Sequence, residues 1–538
     1  MPPSDSFVEP EASPWAPLEQ LLHGLLATSA HLALGLAIGL AAARLLRGRG
    51  LHWSWATLAL APLVIVHAAL RGAAAALGLG ALSAALWGRR WHRGDIDAGR
   101  DLREVAAARR SPPDAMRSLV RMAVLRRRMS RDGEWFLGDE LILGRDRANR
   151  LVAIPFGGGA GGTHTMVLGA TGSGKTMTQS WMAVRAIEGG MGAVIIDPKG
   201  DRGLREAVRG RALSSSRAFI EWSPEGPSVY NPYARGSDTE IADKALAGER
   251  FTEPHYLRQA QRYLGHVVRT LRGAGLGVSL ASIVEQLDPS ALERLARTLP
   301  EQAAVATHAY LDSLTPRQRL DLAGVRDRMA ILAESDLGRW LDPQTAGGRP
   351  FDLLEAVRAR AVVYFNLDSD SRPLLTQMLG AAIVQDLQTT VAALQRRPVP
   401  TLALIDEFSA LSVEQVVRLF GRARSAGLSL VLGTQELADL RLPGRERLLE
   451  QVMGNLSVLV AHRQVLPESC ALIASLAGTR GVWRTSRHSD GRTTRTRTSE
   501  GVLSADQLMR LDPGWAAVTI LSGSASARIV HVLCIAGC

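Results

Sequence analysis

The sequence predicts an α/β fold in which an all-α segment interrupts a parallel sheet and transmembrane helices come first. Short apolar runs at 165–168, 194–197 and 401–405 are typical of strands buried on both faces of a parallel sheet. Residues 236–350 instead repeat apolar side chains at three- and four-residue spacing, which indicates helices, for example at 256–272, 291–299 and 326–341. Residues 20–88 are almost free of charge, as membrane-spanning segments are.

Composition narrows the class of protein. The chain has 538 residues, which is long enough for roughly three or four domains. Its formal net charge is +11, yet only Lys175, Lys199 and Lys244 among its 63 basic residues are lysines. Because arginine serves wherever a general positive charge is needed, each lysine is a candidate for a specific role. Three cysteines without a Cys-x-x-Cys pair indicate neither a disulfide framework nor a structural metal site, and favour a reducing cytoplasm.

The uncharged stretch predicts two or three transmembrane helices. Residues 24–46 can span a bilayer, and residues 53–87 can form a tight pair of helices divided at Arg71. Basic residues concentrate at 43–50 and 88–94, so both segments are expected on the cytoplasmic side. The acidic N-terminus is then outside if there are three spans. Two spans with the N-terminus inside are the alternative.

A glycine-rich turn follows the first strand. Residues 165–176, TMVLGATGSGKT, fit the P-loop pattern G-x-x-x-x-G-K-[ST] between a strand and a segment with helical periodicity. The glycines let backbone N–H groups curl around phosphate, and the helix N-terminus adds its dipole. Lys175 is expected to bind the β- and γ-phosphates of ATP, and the Thr176 hydroxyl to ligate Mg²⁺. The predicted nucleotide-binding residues of this turn are Gly169, Ala170, Thr171, Gly172, Ser173, Gly174, Lys175 and Thr176.

A second strand supplies the carboxylates that a P-loop requires. Residues 401–408, TLALIDEF, place Asp406 and Glu407 at the end of an apolar run. Asp406 is expected to hold Mg²⁺ through water, and Glu407 to orient or deprotonate the attacking water. A solvated acidic pair at a strand end is the alternative interpretation.

A third strand, within 421–437, adds a polar tip and two arginines. Gln435 follows this strand, where it can sense the γ-phosphate. Arg422 and Arg424 precede the strand, and in a ring of subunits such an arginine can reach a neighbour's ATP and stabilise the transition state. Arg424 is the preferred candidate, although this chain also uses arginine on any exposed helix.

The motif VIIDPKGD, at 194–201, raises the question of why a scarce lysine follows a buried strand. Pro198 stops the strand and Gly200 allows the chain to turn. Lys199 then offers a compact charge to a phosphate or to a carboxylate. An ion pair of Lys199 with a neighbouring aspartate of the same loop, Asp197 or Asp201, is the structural alternative.

Taken together, the motifs GATGSGKT, VIIDPKGD, LALIDEFSAL and RSAGLSLVLGTQ resemble those of the TraG/TraD-type coupling proteins of type IV secretion and bacterial conjugation. The resemblance extends over most of 150–538. It implies a RecA-like P-loop motor domain with an inserted all-α domain, ATP and Mg²⁺ as cofactors, and Asp197 and Lys199 beside the nucleotide. It also implies that Lys175, Glu407, Gln435 and, from a neighbouring subunit, Arg424 act in catalysis.

The resemblance further implies the partners and the location. The partners would be single-stranded DNA bound without sequence preference, a relaxase, the proteins of a type IV secretion channel, the membrane and further copies of the chain in a hexameric ring. The location would be the bacterial cytoplasmic (inner) membrane, with the motor in the cytoplasm. The predicted domains are an extracytoplasmic tail (1–19), a transmembrane region (20–90), a basic juxtamembrane segment leading into the motor (91–156), the two halves of the nucleotide-binding domain (157–235 and 351–538) and the all-α insert (236–350).

Three other functions fit parts of the same pattern. A coupling ATPase for protein effectors would use the same motor on a different cargo. A double-strand DNA translocase usually carries a C-terminal winged-helix reader, and no such domain is evident after residue 500. A membrane scaffold that binds ATP without hydrolysing it would not need Glu407. The basic segment 484–500 is expected to be a solvated loop or loose hairpin, with a DNA contact as the alternative.

Overall fold

The structure is a computed structural model that describes residues 15–48, 55, 71–97, 135–147, 149–158, 161–249, 251, 253–344, 347–411, 413–441, 447–487, 493–522 and 526–534. The chain divides into two units, one formed by residues 1–133 with 479–501 and the other by residues 134–478 with 502–538. Most of the predicted extracytoplasmic tail, and residues 98–134 of the predicted basic segment, lie outside the described residues.

The helices of the described residues are α1 (Ala16–Gly48), α2 (Arg71–Asp97), α3 (Lys175–Glu188), α4 (Arg202–Ser214), α5 (Asp238–Leu246), α6 (Pro254–Gly273), α7 (Leu280–Gln286), α8 (Pro289–Ala296), α9 (Glu301–Asp312), α10 (Pro316–Ala333), α11 (Leu353–Arg358), α12 (Pro373–Leu394), α13 (Val413–Ala423), α14 (Leu448–Asn455), α15 (Pro467–Leu476) and α16 (Ala505–Met509). The strands are β1 (Phe136–Leu137), β2 (Glu140–Asp146), β3 (Leu151–Pro155), β4 (Gly157–Gly158), β5 (Gly161–Gly162), β6 (His164–Leu168), β7 (Gly192–Asp197), β8 (Phe219–Trp222), β9 (Ser228–Tyr230), β10 (Arg349–Phe351), β11 (Val362–Asn366), β12 (Thr401–Ile405), β13 (Leu428–Thr434), β14 (Val458–Ala461), β15 (Thr479–Arg487), β16 (Thr493–Gly501), β17 (Trp515–Ile520) and β18 (Ser526–Val532).

The first unit contains a helical pair and a hairpin. Helices α1 and α2 pack closely through glycine, because a Cβ on Gly39 would lie 2.6 Å from the carbonyl oxygen of Gly80. No helix within the described residues has both the length and the apolar character that crossing a bilayer requires. The predicted transmembrane helices are therefore not supported. Part of the second predicted segment, 53–87, lies outside the described residues.

Strands β15 and β16 form the hairpin, with an antiparallel register that pairs Thr479 with Gly501 and Arg487 with Thr493. The hairpin therefore extends over 479–501, beyond the segment 484–500 for which a solvated loop or loose hairpin was predicted. Residues 488–492, between the two strands, lie outside the described residues.

A twelve-stranded sheet forms the centre of the second unit. Its order is β1-β2-β18-β17-β14-β6-β13-β12-β7-β11-β8, with β3 paired to β2. The seven strands from β14 to β8 run parallel, and the remaining strands are antiparallel. The predicted α/β class with a mostly parallel sheet is confirmed. Strands β1 to β3 come from residues that the sequence analysis had placed in a basic segment.

Side chains alternate between two apolar layers, one on each face of the sheet. Along β7, Val194 and Ile196 face one layer, whereas Ala193 and Ile195 face the other. Helices α3 and α4 cover the second face, and α12 and α13 contribute to the first. Burial on both faces explains why the parallel strands have continuous apolar sequences rather than alternating ones.

Helices α5 to α10 occupy most of the predicted all-α insert. The helix predicted at 326–341 ends earlier, because α10 stops at Ala333 and a 3₁₀ turn follows at Gly338–Trp340. The chain folds back so tightly that a Cβ on Gly338 would lie 1.9 Å from the carbonyl oxygen of Ala333. The apolar spacing of this segment therefore reports burial on both sides of the turn rather than one continuous helix.

The third lysine ties the insert to the motor. Lys244, on α5, has a fully buried side chain whose ammonium group contacts Asp386 of α12 at 2.6 Å. It also donates to the carbonyl oxygens of Pro232 (3.0 Å) and Arg235 (2.7 Å). Tyr230 donates to the second carboxylate oxygen of Asp386 at 2.6 Å. All three ammonium protons therefore have partners, which is what a buried charge requires.

Candidate nucleotide-binding site

The P-loop lies between β6 and α3, at the carboxyl edge of the parallel sheet. Its turn depends on Gly172 and Gly174, whose φ angles of 74° and 109° lie in the region that favours glycine. Gly174 is also the N-cap of α3, so the first N–H groups of that helix face the loop. The backbone therefore offers donors and a helix dipole at one point, as phosphate binding requires.

The strand order brings the other predicted residues to the same edge. Strand β13 lies between β6 and β12, and β7 lies on the far side of β12. Gln435, the pair Asp406–Glu407 and Lys199 therefore follow neighbouring strands. Ligands of open parallel sheets bind at this carboxyl edge.

Lys175 connects the P-loop to the acidic pair. Its ammonium group lies 2.6 Å from Asp406 Oδ1 and 3.5 Å from Glu407 Oε2. Gln179, one turn further along α3, donates to the same Asp406 oxygen at 2.9 Å. Because all three charged side chains are largely buried, the pairing is stronger than an exposed ion pair would be.

Glu407 accepts hydrogen bonds at both carboxylate oxygens. Its Oε1 accepts from Ser409 (3.1 Å) and Thr434 (3.3 Å), and its Oε2 accepts from Lys199 (2.9 Å) and Gln435 (3.1 Å). Burial acts to raise the pKa of Glu407, but Lys175 and Lys199 outweigh it and lower the pKa to about 2.

The backbone of Glu407 is also unusual, because its φ of 40° and ψ of 51° lie in the left-handed region. A non-glycine residue in that region costs on the order of 1–3 kcal/mol, and such residues persist where surrounding contacts hold them, often at functional sites. The hydrogen bonds to its side chain supply those contacts here.

The DPKG loop is folded around Asp197. This buried carboxylate accepts from the backbone N–H groups of Lys199, Gly200 and Asp201, and from the hydroxyl of Tyr364 on β11. Burial raises the pKa of Asp197, and these hydrogen bonds oppose that shift. Asp197 thus holds the loop in shape, and its direct contact with nucleotide stays a prediction.

The alternative interpretation, an ion pair between Lys199 and an aspartate of its own loop, does not hold. Its described ion pair is with Glu407, 208 residues away. Burial acts to lower the pKa of Lys199, but the hydrogen bond and the charge of Glu407 outweigh it, so the pKa is raised.

Arg424 lies apart from these residues. It precedes the amino end of β13, whereas Gln435 follows its carboxyl end, and a strand of that length spans about 20 Å. Arg424 is exposed and donates to Ser457 at 3.4 Å. Arg422 is exposed as well, so the geometry leaves both arginines as candidates for a contact with another subunit.

Several residues that contact the P-loop or α3 were not predicted from the sequence, and His462 is the most buried of them. Its Nδ1 lies 3.0 Å from the Trp515 carbonyl oxygen and its Nε2 lies 2.8 Å from Thr178 Oγ1, so a neutral imidazole donates through Nδ1 and accepts through Nε2. Burial lowers the pKa of His462 to about 4. Gly514 donates to the Ser173 carbonyl oxygen and braces the P-loop from the same side. No motif marks these residues, because their roles depend on strands that follow much later in the chain.

The residues present fit ATP and Mg²⁺. The P-loop carries a buried Ser173 hydroxyl with no hydrogen-bond partner among the described residues, beside a lysine that currently contacts only carboxylates of the acidic pair. Thr176 is the second residue of α3 and Asp406 directly follows β12, so a hydroxyl and a carboxylate oxygen are provided for a hard cation. This is the donor set that a P-loop site uses for magnesium.

The comparisons with known proteins agree with this geometry. Residues 400–513 match the family model described as the TraM recognition site of TraD and TraG. The resemblance to TraG/TraD-type coupling proteins is confirmed. No curated protein sequence matches the chain.

Solved structures with a similar fold cover about three quarters of the chain. The bacterial conjugative coupling protein TrwBdeltaN70, in its unbound monoclinic form, has a TM-score of 0.54 and 18% identity, over 74% of this chain and 93% of that chain. TrwB in complex with ADP and Mg²⁺ has a TM-score of 0.53 and 18% identity, over 69% and 86%. VirB4 of Thermoanaerobacter pseudethanolicus has a TM-score of 0.50 and 15% identity, over 74% and 98%. The chain therefore has the fold of these proteins.

Proposed function

We propose that the protein is an ATPase that couples ATP hydrolysis to the transport of DNA in conjugation. The observation that carries the proposal is the convergence of Lys175, Asp406, Glu407 and Gln435 at one edge of the sheet, from segments far apart in sequence. The similarity to TrwB and the match to the TraD and TraG family model support conjugation as the process.

In the proposed reaction, Lys175 binds the β- and γ-phosphates and neutralises their charge. Glu407 orients a water and accepts its proton as the oxygen attacks the γ-phosphorus, and the bond to the bridging oxygen breaks to give ADP and phosphate. Gln435 contacts the γ-phosphate and reports its loss to β13. Magnesium, held by Thr176 and Asp406, would supply charge neutralisation at the phosphates.

We propose that the active form is a hexameric ring, as the resemblance to TraG/TraD-type coupling proteins implies, and that Arg424 acts on the ATP of a neighbouring subunit. Its position supports this, because an exposed arginine about 20 Å from its own Gln435 cannot serve its own nucleotide. A trans-acting arginine stabilises the charge that develops on the transferred phosphate.

The cargo and partners follow from the same resemblance. Single-stranded DNA with a bound relaxase is the proposed cargo, delivered to a type IV secretion channel. The family model that matches 400–513 is described by its recognition of TraM, which favours a relaxosome protein as a partner of this region.

We also propose the cytoplasmic membrane as the site of action. The basic segments at 43–50 and 88–94, which flank apolar sequence, support this location because such segments bind anionic lipid headgroups. Fractionation of cells that express the full chain or residues 95–538 tests it. Recovery of both forms in the soluble fraction would reject the membrane location.

Hydrolysis of ATP by residues 95–538 tests the proposed function, with single-stranded DNA, duplex DNA or no DNA. Stimulation by single strands that Glu407→Gln abolishes is the expected result. Stimulation by duplex alone would favour a double-strand translocase, and a rate indifferent to DNA would favour a coupling ATPase for protein effectors. No hydrolysis at high protein concentration would refute the enzymatic function.

A further inference from the structure

Lys199 stands between the acidic pair and a large groove. One side of its ammonium group contacts Glu407 Oε2 at 2.9 Å, yet 39% of the side chain is exposed. The exposed part lines a groove of about 990 Å³ that lies against α4, β8 and β10. Lys199 can therefore leave Glu407 without crossing the protein interior.

The contacts of Glu407 leave little room for a water molecule. A carboxylate offers about four lone-pair sites, and Glu407 already accepts from Ser409, Thr434, Lys199 and Gln435, with Lys175 at 3.5 Å. A bound nucleotide would attract Lys175 and Gln435 toward its phosphates. Ser409 and Thr434 still donate to Oε1, and Lys199, in the loop after β7, is the charged contact that still occupies Oε2 after nucleotide binds.

The groove is basic along one wall. Arg202, Arg205 and Arg209 lie on α4 at a spacing that places them near one face of the helix, and Arg349 lies on β10. Arg205 is paired with Glu221, at 2.6 Å. Arg202, Arg209 and Arg349 are exposed and take part in none of the ion pairs found among the described residues. Glu221, Glu225 and Asp368 also line the groove. Arg202, Arg209 and Arg349, the arginines outside these ion pairs, favour a ligand with several phosphates.

We propose that Lys199 is a positioning residue that holds Glu407 in a resting arrangement, and that the phosphate backbone of a nucleic acid in the groove draws Lys199 away. The proposal rests on the proposed ATPase function and adds its regulation. Phosphates along the α4 wall compete with Glu407 for the ammonium group, and the freed carboxylate oxygen then accepts a hydrogen bond from the attacking water. Hydrolysis would thus be slow until cargo is present.

Steady-state ATP hydrolysis by full-length Lys199→Gln, with and without oligothymidylate, tests the proposal. The variant should raise kcat without DNA about fivefold, which is the effect of removing one restraining contact, and should respond little to DNA. Its KM for ATP should change by less than about twofold, because the restraint acts on Glu407 and not on nucleotide binding. Lys199→Arg, which keeps the charge, should restore a low DNA-free rate.

Arg396→Gln removes an exposed arginine near the opposite, amino end of β12 and serves as the matched control. A lower kcat together with a higher KM in Lys199→Gln would overturn the proposal, since it would make Lys199 a nucleotide ligand. If wild-type protein hydrolyses no ATP under any condition, the proposed function itself fails.

The groove has its own test. Arg202→Gln combined with Arg209→Gln should raise the oligothymidylate concentration needed for half-maximal stimulation. An unchanged concentration would overturn the groove as the DNA site. Stimulation of wild-type protein by its own concentration alone, to the rate of Lys199→Gln, would overturn nucleic acid as the trigger and assign that role to a neighbouring copy of the chain.

Discussion

Replacing Lys244 with methionine should destabilise the protein strongly, although this residue lies outside the nucleotide site. The side chain of Lys244 is fully buried and pairs with Asp386 at 2.6 Å. Methionine fills a similar volume but leaves the carboxylate of Asp386 buried without its cation. Breaking a buried ion pair from one side costs about 3–5 kcal/mol, which is a large part of the about 5–15 kcal/mol that stabilises a typical domain.

Urea unfolding followed by tryptophan fluorescence measures the loss as a shift of the midpoint at constant slope. Arg297→Met is the matched control, because Arg297 and Glu293 form an exposed ion pair on α8 and the residue that follows it. That change should cost less than about 1 kcal/mol.

A double-mutant cycle with Asp386→Leu separates the ion pair from general packing. Removal of both charges should cost about 2 kcal/mol less than the sum of the single changes. Additive losses of stability, or a loss for Lys244→Met no larger than that of the control, would refute the claim that the buried ion pair of Lys244 stabilises the contact between the insert and the motor.

Three further predictions concern the site. Glu407→Gln should lower kcat by about a hundredfold or more but leave nucleotide binding intact. A hydrolysis assay and a titration with fluorescent nucleotide measure the two effects. Retained hydrolysis would exclude Glu407 as the base. Arg424→Ala should lower kcat about a thousandfold, and mixing it with Glu407→Gln subunits should restore some activity if the arginine acts in trans. The third prediction is a pH dependence of stability. Because burial lowers the pKa of His462 to about 4, the unfolded chain, with a pKa near 6.5, binds more protons than the folded one between these values. The contribution of neutral His462 to the free energy of unfolding is therefore complete above about pH 6.5, and it falls by about 3 kcal/mol as the pH is lowered to about 4. Thermal unfolding across this range should show the slope, and His462→Asn should flatten it; an equal slope in both would refute the assignment.

Local chemistry made the P-loop recognisable from sequence. Its glycines, Lys175 and Thr176 belong to one turn between a strand and a helix, so their geometry depends on neighbouring residues alone. The strands β7, β12 and β13 were predictable for a similar reason, because burial on both faces requires an uninterrupted apolar run.

The antiparallel side of the sheet was not predictable in the same way. Strands β1 to β3 carry mixed polar and apolar residues, and β2 connects them to the rest of the sheet through β18, which lies nearly 400 residues later in the chain. The helix predicted at 326–341 was wrong beyond Ala333, since apolar spacing alone cannot reveal a tight turn that is buried on both sides.

Three features of the site can be recognised in the chain alone: a phosphate-binding turn, an acidic pair and a scarce lysine after the strand that follows the P-loop helix. The partner of each lysine becomes known only from the folded arrangement. Lys175 and Lys199 meet the acidic pair, and Lys244 meets Asp386, across separations of 142 to 232 residues. Such contacts follow from strand order and from the burial of charge, and neither is encoded in the spacing of residues along the chain.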